Sequence, residues 1–307
     1  MDENDSHEKN RAQSSNEPYP GPLAAIGLAL SALFISSFIA SLLASTGLMG
    51  QSALMASMGI GYTIGVGGLA TLAAQRVPAP QDLRIGLKGF DRWLIAPMLA
   101  LLPTVFLLSE SNIYLEALMP PSSEFLALRA EMKQLLEAQS TLAKLQTAVV
   151  ALGIIPITEG FLFFGIILQG LNAQIGVIRG VLLTTFLYSV VHFPASGAPG
   201  DSLVPLPTWL VIGALLCLVR MASGSILPVI CLSAGFSLIH LIAAGQEPWF
   251  TIQSFNIPGE GIPAMVFWPS LISVGWGLMT LWKTLQSKPD DIPTVVLDPH
   301  EETKDDL

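Results

Sequence analysis

The sequence predicts an all-α, polytopic membrane protein with about eight transmembrane helices. Of its 307 residues, 51% are hydrophobic and only 12% are charged, whereas soluble globular domains carry about 25% charged residues. The hydrophobic residues form long uninterrupted runs that match a hydrocarbon core about 30 Å thick, and they lack the amphipathic pattern of a soluble bundle. These two observations exclude a large soluble domain.

Apolar runs of about 20 residues define the candidate spans. They are 23–49, 52–75, 93–109, 146–172, 177–193, 205–220, 226–244 and 262–282. The first run is too long for the core of a signal peptide, so we expect it to be an uncleaved span.

Positive charge predicts the orientation of these spans. If the N-terminus is cytoplasmic, eleven of the 14 Lys and Arg residues lie on the cytoplasmic side. The other three are Arg129, Lys133 and Lys144. Because cytoplasmic loops are enriched in Lys and Arg, we expect a multi-pass protein of the bacterial plasma membrane with both termini cytoplasmic.

Composition along the chain suggests five segments. They are a disordered tail (1–22), N-terminal transmembrane helices with an interfacial helix (23–144), a core domain (145–245), a loop with the last transmembrane helix (246–283) and an acidic disordered tail (284–307). The interfacial helix, expected within 122–144, is interpreted either as a lid over a site or as a simple connector.

Clustered basic residues are absent, which excludes nucleic acid as a partner and leaves membrane lipid.

Glu159 is the only ionisable residue between Lys144 and Arg179. A charged side chain at the centre of a bilayer costs roughly 2 to 4 kcal/mol, so such residues generally face a cavity or a partner and have a function. Pro156 lies one turn earlier and is the only proline that we expect to bend a helix, which would open room beside the carboxylate. The alternative for Glu159 is a purely structural bond between helices.

Two histidines, His192 and His240, lie in later spans. A carboxylate and an imidazole from adjacent helices can hold and activate a water molecule, so Glu159 and His192 are a candidate hydrolase pair. Each histidine could instead be a residue of the membrane interface. Glu159, His192 and His240 could in principle bind zinc, but no His-Glu-x-x-His spacing supports this and we expect neither a metal nor a cofactor.

The segment 157–168 reads Ile-Thr-Glu-Gly-Phe-Leu-Phe-Phe-Gly-Ile-Ile-Leu. It resembles the first motif of the CPBP intramembrane endopeptidases, which include CAAX prenyl proteases and bacteriocin-processing proteins. That motif has two adjacent glutamates and then Phe-Arg-Gly. Glu159, Phe163 and Gly165 match it, whereas Gly160 stands at the second Glu and Phe164 at the Arg.

The two later motifs of that family also have counterparts. Tyr-Ser-Val-Val-His at 188–192 resembles Phe-x-x-x-His, with Tyr188 in place of Phe. The segment 224–237 resembles the third motif, but Ser233 and Ser237 replace its His and Asn. The resemblance covers about residues 145–245 and implies that Glu159 and His192 activate water.

In the family the third-motif His and Asn stabilise the oxyanion. Ser233 and Ser237 could donate hydrogen bonds in their place, or they could bond back to their own helix. His240, two turns beyond Ser233, is a further candidate support.

The sequence therefore predicts a glutamate-type intramembrane endopeptidase that cleaves a membrane-associated peptide or protein with Glu/His-activated water. The alternative is a catalytically inactive protein of the same fold that acts as a membrane binding or scaffold protein. A transporter would require more intramembrane polar groups and an internal repeat, and neither is found.

Overall fold

The structure is a computed structural model that describes residues 17–46, 53–137, 140–192, 199–244 and 261–287. All regular secondary structure in these ranges is helical, which confirms the predicted all-α class. The helices are α1 (Pro22–Ser45), α2 (53–74), α3 (Gln81–Ile85), α4 (Ile95–Leu99), α5 (Thr104–Leu118), α6 (Ser123–Glu137), α7 (Thr141–Ile175), α8 (Val177–Val191), α9 (Pro199–Leu203), α10 (Leu206–Ser223), α11 (Leu227–Ala244) and α12 (Ala264–Ser287). The predicted tails, apart from residues 17–22 and 284–287, and most of the loop before α12 lie outside the described residues.

In the part of the chain that the structure describes, each of the eight predicted spans overlaps a helix, and the third overlaps both α4 and α5. Among the described residues, six helical runs are long and apolar enough to cross a membrane, and α8 and α11 are shorter apolar helices. The polytopic prediction is therefore confirmed.

Two helices have bounds that differ from those of the predicted segments. The third span was expected to end at residue 109, but the helical run extends over Arg92–Leu118. Its added polar residues have partners: Glu110 Oε2 accepts a hydrogen bond from the Ile262 amide at 2.8 Å, and Asn112 Oδ1 accepts one from Thr208 Oγ1 at 3.0 Å. The predicted interfacial helix ends at Glu137, and residues 141–144 already belong to α7.

Helix α7 is irregular on both sides of Glu159. Two π-helical segments, Val150–Ile154 and Gly160–Ile167, flank a short α-helical segment, Ile155–Glu159, that contains Pro156. Proline lacks the amide hydrogen that an α-helix requires, and a wide π turn accommodates the missing bond. Pro156 is not alone, however, because Pro269 lies inside α12.

The core surrounds α7. Its residues 162–168 are all buried, between α2, α8, α10 and α11. Helix α1 packs closely on the face of α2 that points away from α7. At Gly61 there is no room for a side chain, because a Cβ atom there would lie 2.4 Å from the Ser36 carbonyl oxygen. Small residues at such crossings allow membrane helices to pack backbone to backbone.

Contacts between chain segments far apart in the sequence fall into two sets. In the first, the Arg220 guanidinium donates to the carbonyls of Phe164 and Arg84, both at 3.1 Å, and the Ile226 amide donates to the Gly86 carbonyl at 3.0 Å. In the second, Ser122 bonds to Asp201. Phe164 lies within the predicted span 146–172, whereas Arg84, Gly86, Ser122 and Asp201 lie in predicted loops.

Candidate active site

The site is built around Glu159 and His192, which lie 33 positions apart in the chain. Helices α7 and α8 are joined only by Gly176, whose φ of 82° lies in the left-handed region that favours glycine. This reversal packs the two helices side by side. His192 Nε2 lies 3.2 Å from Glu159 Oε1, and the carboxylate side chain is only 3% exposed.

A hydrogen bond to its own helix orients the His192 imidazole. Its Nδ1 donates to the Tyr188 carbonyl at 2.9 Å, so Nε2 faces the carboxylate.

Aromatic rings hold the imidazole in place. The Trp209 indole, from the start of α10, stacks on His192 with ring centroids 4.0 Å apart and planes 24° apart. The Tyr188 ring lies on the same imidazole at 4.5 Å. Sequence reasoning did not identify Trp209, because its position in an apolar run is also typical of a lipid-facing residue.

Two phenols converge on the Glu159 carboxylate. Tyr62, on α2, and Tyr188, on α8, both lie close enough to Glu159 to interact electrostatically with its carboxylate. Tyr188 also interacts with the hydroxyl of Ser233 on α11. The chain has only four tyrosines, and a phenol within an apolar run requires a polar partner, a signal that could have identified both.

The remaining predicted residues differ in position. Ser233 joins the site through Tyr188, whereas half-buried Ser237 makes no described contact with Glu159 or His192. His240 is exposed, and its Nδ1 donates to the Phe236 carbonyl at 2.9 Å. The fold therefore brings together Glu159, His192 and Ser233 but leaves His240 outside.

Within the described part of the chain, no group of three or more His, Cys, Asp or Glu side chains is placed to hold a metal ion.

The position of the family's second glutamate is sterically closed. A Cβ atom at Gly160 would lie 2.7 Å from Ile230 Cγ1 on α11. Phe164, at the position of the family's arginine, is buried and packs against the Tyr188 ring with centroids 5.3 Å apart. Apolar packing thus replaces two charged side chains beside the catalytic candidates.

Comparison with known families identifies this region. Residues 141–239, about a third of the chain, match the family model described as type II CAAX prenyl endopeptidase Rce1-like. Within these residues the chain is similar to the CPBP family of intramembrane endopeptidases. No curated protein and no solved structure matches the chain.

The Rce1-like domain contains Glu159, His192, Ser233 and Ser237 and ends one residue before His240. The resemblance stated from the motifs is therefore confirmed, and for residues 141–239 the match supports a fold like that of the CAAX-protease-type intramembrane peptidases. Within that fold, a buried carboxylate beside an imidazole can remove a proton from water.

Proposed function

We propose that this protein is an intramembrane endopeptidase in which Glu159 is the general base and His192 its partner. The observation that carries the proposal is the 3.2 Å contact between Glu159 Oε1 and His192 Nε2 inside an Rce1-like domain. Glu159 accepts a proton from water, and the resulting hydroxide attacks the carbonyl carbon of the scissile bond. The amine that leaves takes up a proton from the pair.

The surroundings of the pair support this role. Trp209 and Tyr188 restrict the imidazole to one orientation, and the Nδ1 bond to the Tyr188 carbonyl leaves Nε2 for the reaction. The carboxylate is shielded from bulk water. The water molecule from which it accepts a proton is therefore one that is bound at the site. We propose a membrane-associated peptide as the substrate and a prenylated CAAX peptide as the first class to test.

The test uses the full-length purified protein in liposomes with an internally quenched farnesylated CAAX peptide. We expect cleavage by the wild type and a loss of at least about 100-fold in Glu159→Gln and His192→Ala, because a general base contributes about that factor. Glu124→Gln, which changes an exposed carboxylate on α6, is the matched control and should keep full activity. The peptide without its farnesyl group tests whether the lipid is recognised.

The second candidate function is an inactive membrane scaffold of the same fold, favoured by the tight contact between Gly160 and Ile230 where the family has a glutamate. It predicts equal amounts of every membrane-protein fragment in cells carrying the wild type, Glu159→Gln or His192→Ala. Fragments that disappear in both variants, at equal protein abundance, would exclude the scaffold as the only function. Identical profiles together with no peptide cleavage would exclude the peptidase.

A further inference from the structure

We propose that Arg220 is a positioning residue for the pair of Glu159 and His192. It lies in the last turn of α10 and acts on the pair through the main chain of α7. The inference rests on the proposed function, because it concerns how the pair is held for that reaction.

The Arg220 guanidinium bonds to two main-chain carbonyls. Its Nε donates to the Phe164 carbonyl on α7, and its Nη2 donates to the Arg84 carbonyl on α3, both at 3.1 Å. The guanidinium also lies against the main chain at Gly86, where a Cβ atom would be 2.5 Å from Nη2. A hydrogen bond from a charged donor is roughly twice as strong as one between neutral groups. Arg220 therefore fixes the Phe164 main chain relative to α10 and to the segment 84–90.

The Phe164 carbonyl belongs to the irregular turn that begins directly after Glu159. Phe164 lies within the π-helical segment Gly160–Ile167, and Glu159 is the last residue of the α-helical segment before it. A π turn departs from the regular ladder of helical hydrogen bonds, and a side-chain donor inserted at the ladder is one cause of such geometry. The donor on α10 therefore stabilises the turn that sets the direction of the carboxylate.

Phe164 also transmits the position of α7 to His192. The Phe164 ring packs against Tyr188 with centroids 5.3 Å apart, and the Tyr188 ring lies on the imidazole at 4.5 Å. Phe164 is 1% exposed and Tyr188 is 2% exposed, and close-packed rings in a core transmit strain to each other. A shift of the Phe164 main chain therefore reaches the imidazole through two ring contacts and the carboxylate through the helix.

The distance between the two reacting side chains is sensitive to such a shift. Glu159 Oε1 and His192 Nε2 lie 3.2 Å apart, and a displacement of about 1 Å at a catalytic group can lower a rate about 100-fold. Loss of the Arg220 donor should therefore act on kcat. Arg84 and Gly86 lie outside residues 141–239, so the N-terminal part of the chain takes part in holding the pair.

Ser225 provides a matched comparison. Its hydroxyl donates to the Lys88 carbonyl at 2.5 Å and so fastens the same segment 84–90 to the turn between α10 and α11. Its other described hydrogen bonds are with Ser223 and Leu227, and none reaches α7. If Arg220 only fastens the segment 84–90, then Arg220→Met and Ser225→Ala should have the same effects.

Amide hydrogen exchange of the purified full-length protein tests the effect on α7 without a substrate. In Arg220→Met we expect peptides from 160–168 to exchange at least about tenfold faster than in the wild type, because a bond from a charged donor is lost. Arg220→Lys keeps a charged donor and should lie between the two. Ser225→Ala should speed exchange in the segment 84–90 and leave 160–168 unchanged.

Cleavage of the farnesylated CAAX peptide in liposomes tests the effect on the reaction. We expect kcat to fall about 10- to 100-fold in Arg220→Met, with KM within about twofold of the wild type. Arg220→Lys should recover at least about threefold of the lost kcat, and Ser225→Ala should stay within about twofold of the wild type. Thermal midpoints check folding, and Arg220→Lys carries both measurements if Arg220→Met does not fold.

The two measurements separate failure of this inference from failure of the proposed function. Unchanged exchange at 160–168 in Arg220→Met would overturn the inference whatever the peptide assay gives. Equal kcat in Arg220→Met and Ser225→Ala would also overturn it and would leave the peptidase intact. If the wild type cleaves no peptide, the proposed function fails, and the exchange measurement alone decides whether Arg220 holds the turn beside Glu159.

Discussion

His192 stacks on Trp209 across the α8–α10 interface, with their ring centroids 4.0 Å apart. The indole belongs to a helix that contributes neither the carboxylate nor the imidazole. The orientation of the proposed catalytic histidine therefore depends on the packing of α10 as well as on its own helix.

The first prediction concerns this stacking. Trp209→Leu should lower kcat by about 3- to 10-fold, because an aromatic pair contributes about 0.5 to 1.5 kcal/mol to holding the ring. Trp209→Phe should keep most of the activity, since it retains an aromatic face. Peptide cleavage by the purified protein measures both variants.

The matched control is Trp282→Leu, which removes a tryptophan that is 54% exposed on α12. Equal activity losses in Trp209→Leu and Trp282→Leu would contradict a specific role for the stacking.

The second prediction concerns the contact between Gly160 and Ile230. Gly160→Ala should lower the free energy of unfolding by about 1 to 3 kcal/mol, because its new Cβ would meet Ile230 Cγ1 at 2.7 Å. Adding Ile230→Ala removes that atom and should restore part of the loss. Unfolding of the purified protein in detergent measures the three variants.

Gly275→Ala serves as the control for the second prediction. Gly275 lies inside α12, and a Cβ there would meet nothing within 4 Å. Its replacement should be neutral or should stabilise by up to about 1 kcal/mol through the lower entropy of the unfolded chain. A stability of Gly160→Ala equal to that of Gly275→Ala would show that α11 adjusts freely.

The third prediction concerns Asp201, a buried carboxylate that sequence reasoning did not single out. It accepts hydrogen bonds from the Ser122 amide and hydroxyl, both at 2.7 Å, at the start of α6. Asp201→Ala should lower the free energy of unfolding by about 1.5 to 3 kcal/mol. It should also increase protease cleavage near residues 119–126, because the start of α6 loses its anchor.

Asp91→Asn, at an exposed carboxylate, should leave that cleavage unchanged. If Asp201→Ala and the wild type are cut at the same rate, then α6 is held by other contacts, and the bond to Asp201 has little importance for its position.

The family assignment and the helical membrane fold were accessible from the sequence for a local reason. Hydropathy is a property of consecutive residues, so each span could be located without knowing its neighbours. The predicted ends of spans differ from the ends of helices where polar residues such as Glu110 and Asn112 continue a helix. A local pattern of hydropathy does not show that these residues have hydrogen-bonding partners in other segments.

For the candidate site, too, the sequence predicted some residues and could not predict others. Glu159 stood out because a lone carboxylate in an apolar run is costly wherever it lies, and His192 followed from its motif. The sequence could not decide which of Ser233, Ser237 and His240 approaches the pair, because they share one helix and differ only in their rotation and height on it. Contacts in the tertiary structure select Ser233 and leave His240 exposed.

By itself, the sequence determined the class of protein, the family that residues 141–239 resemble and the carboxylate around which the candidate site is built. Only the tertiary structure decided that Tyr62, Tyr188 and Trp209 surround that carboxylate and its histidine, because they come from three helices whose contact depends on packing over the whole bundle. Residues far apart in the chain become neighbours through the shapes of helix surfaces, and those shapes are not encoded in any single apolar run.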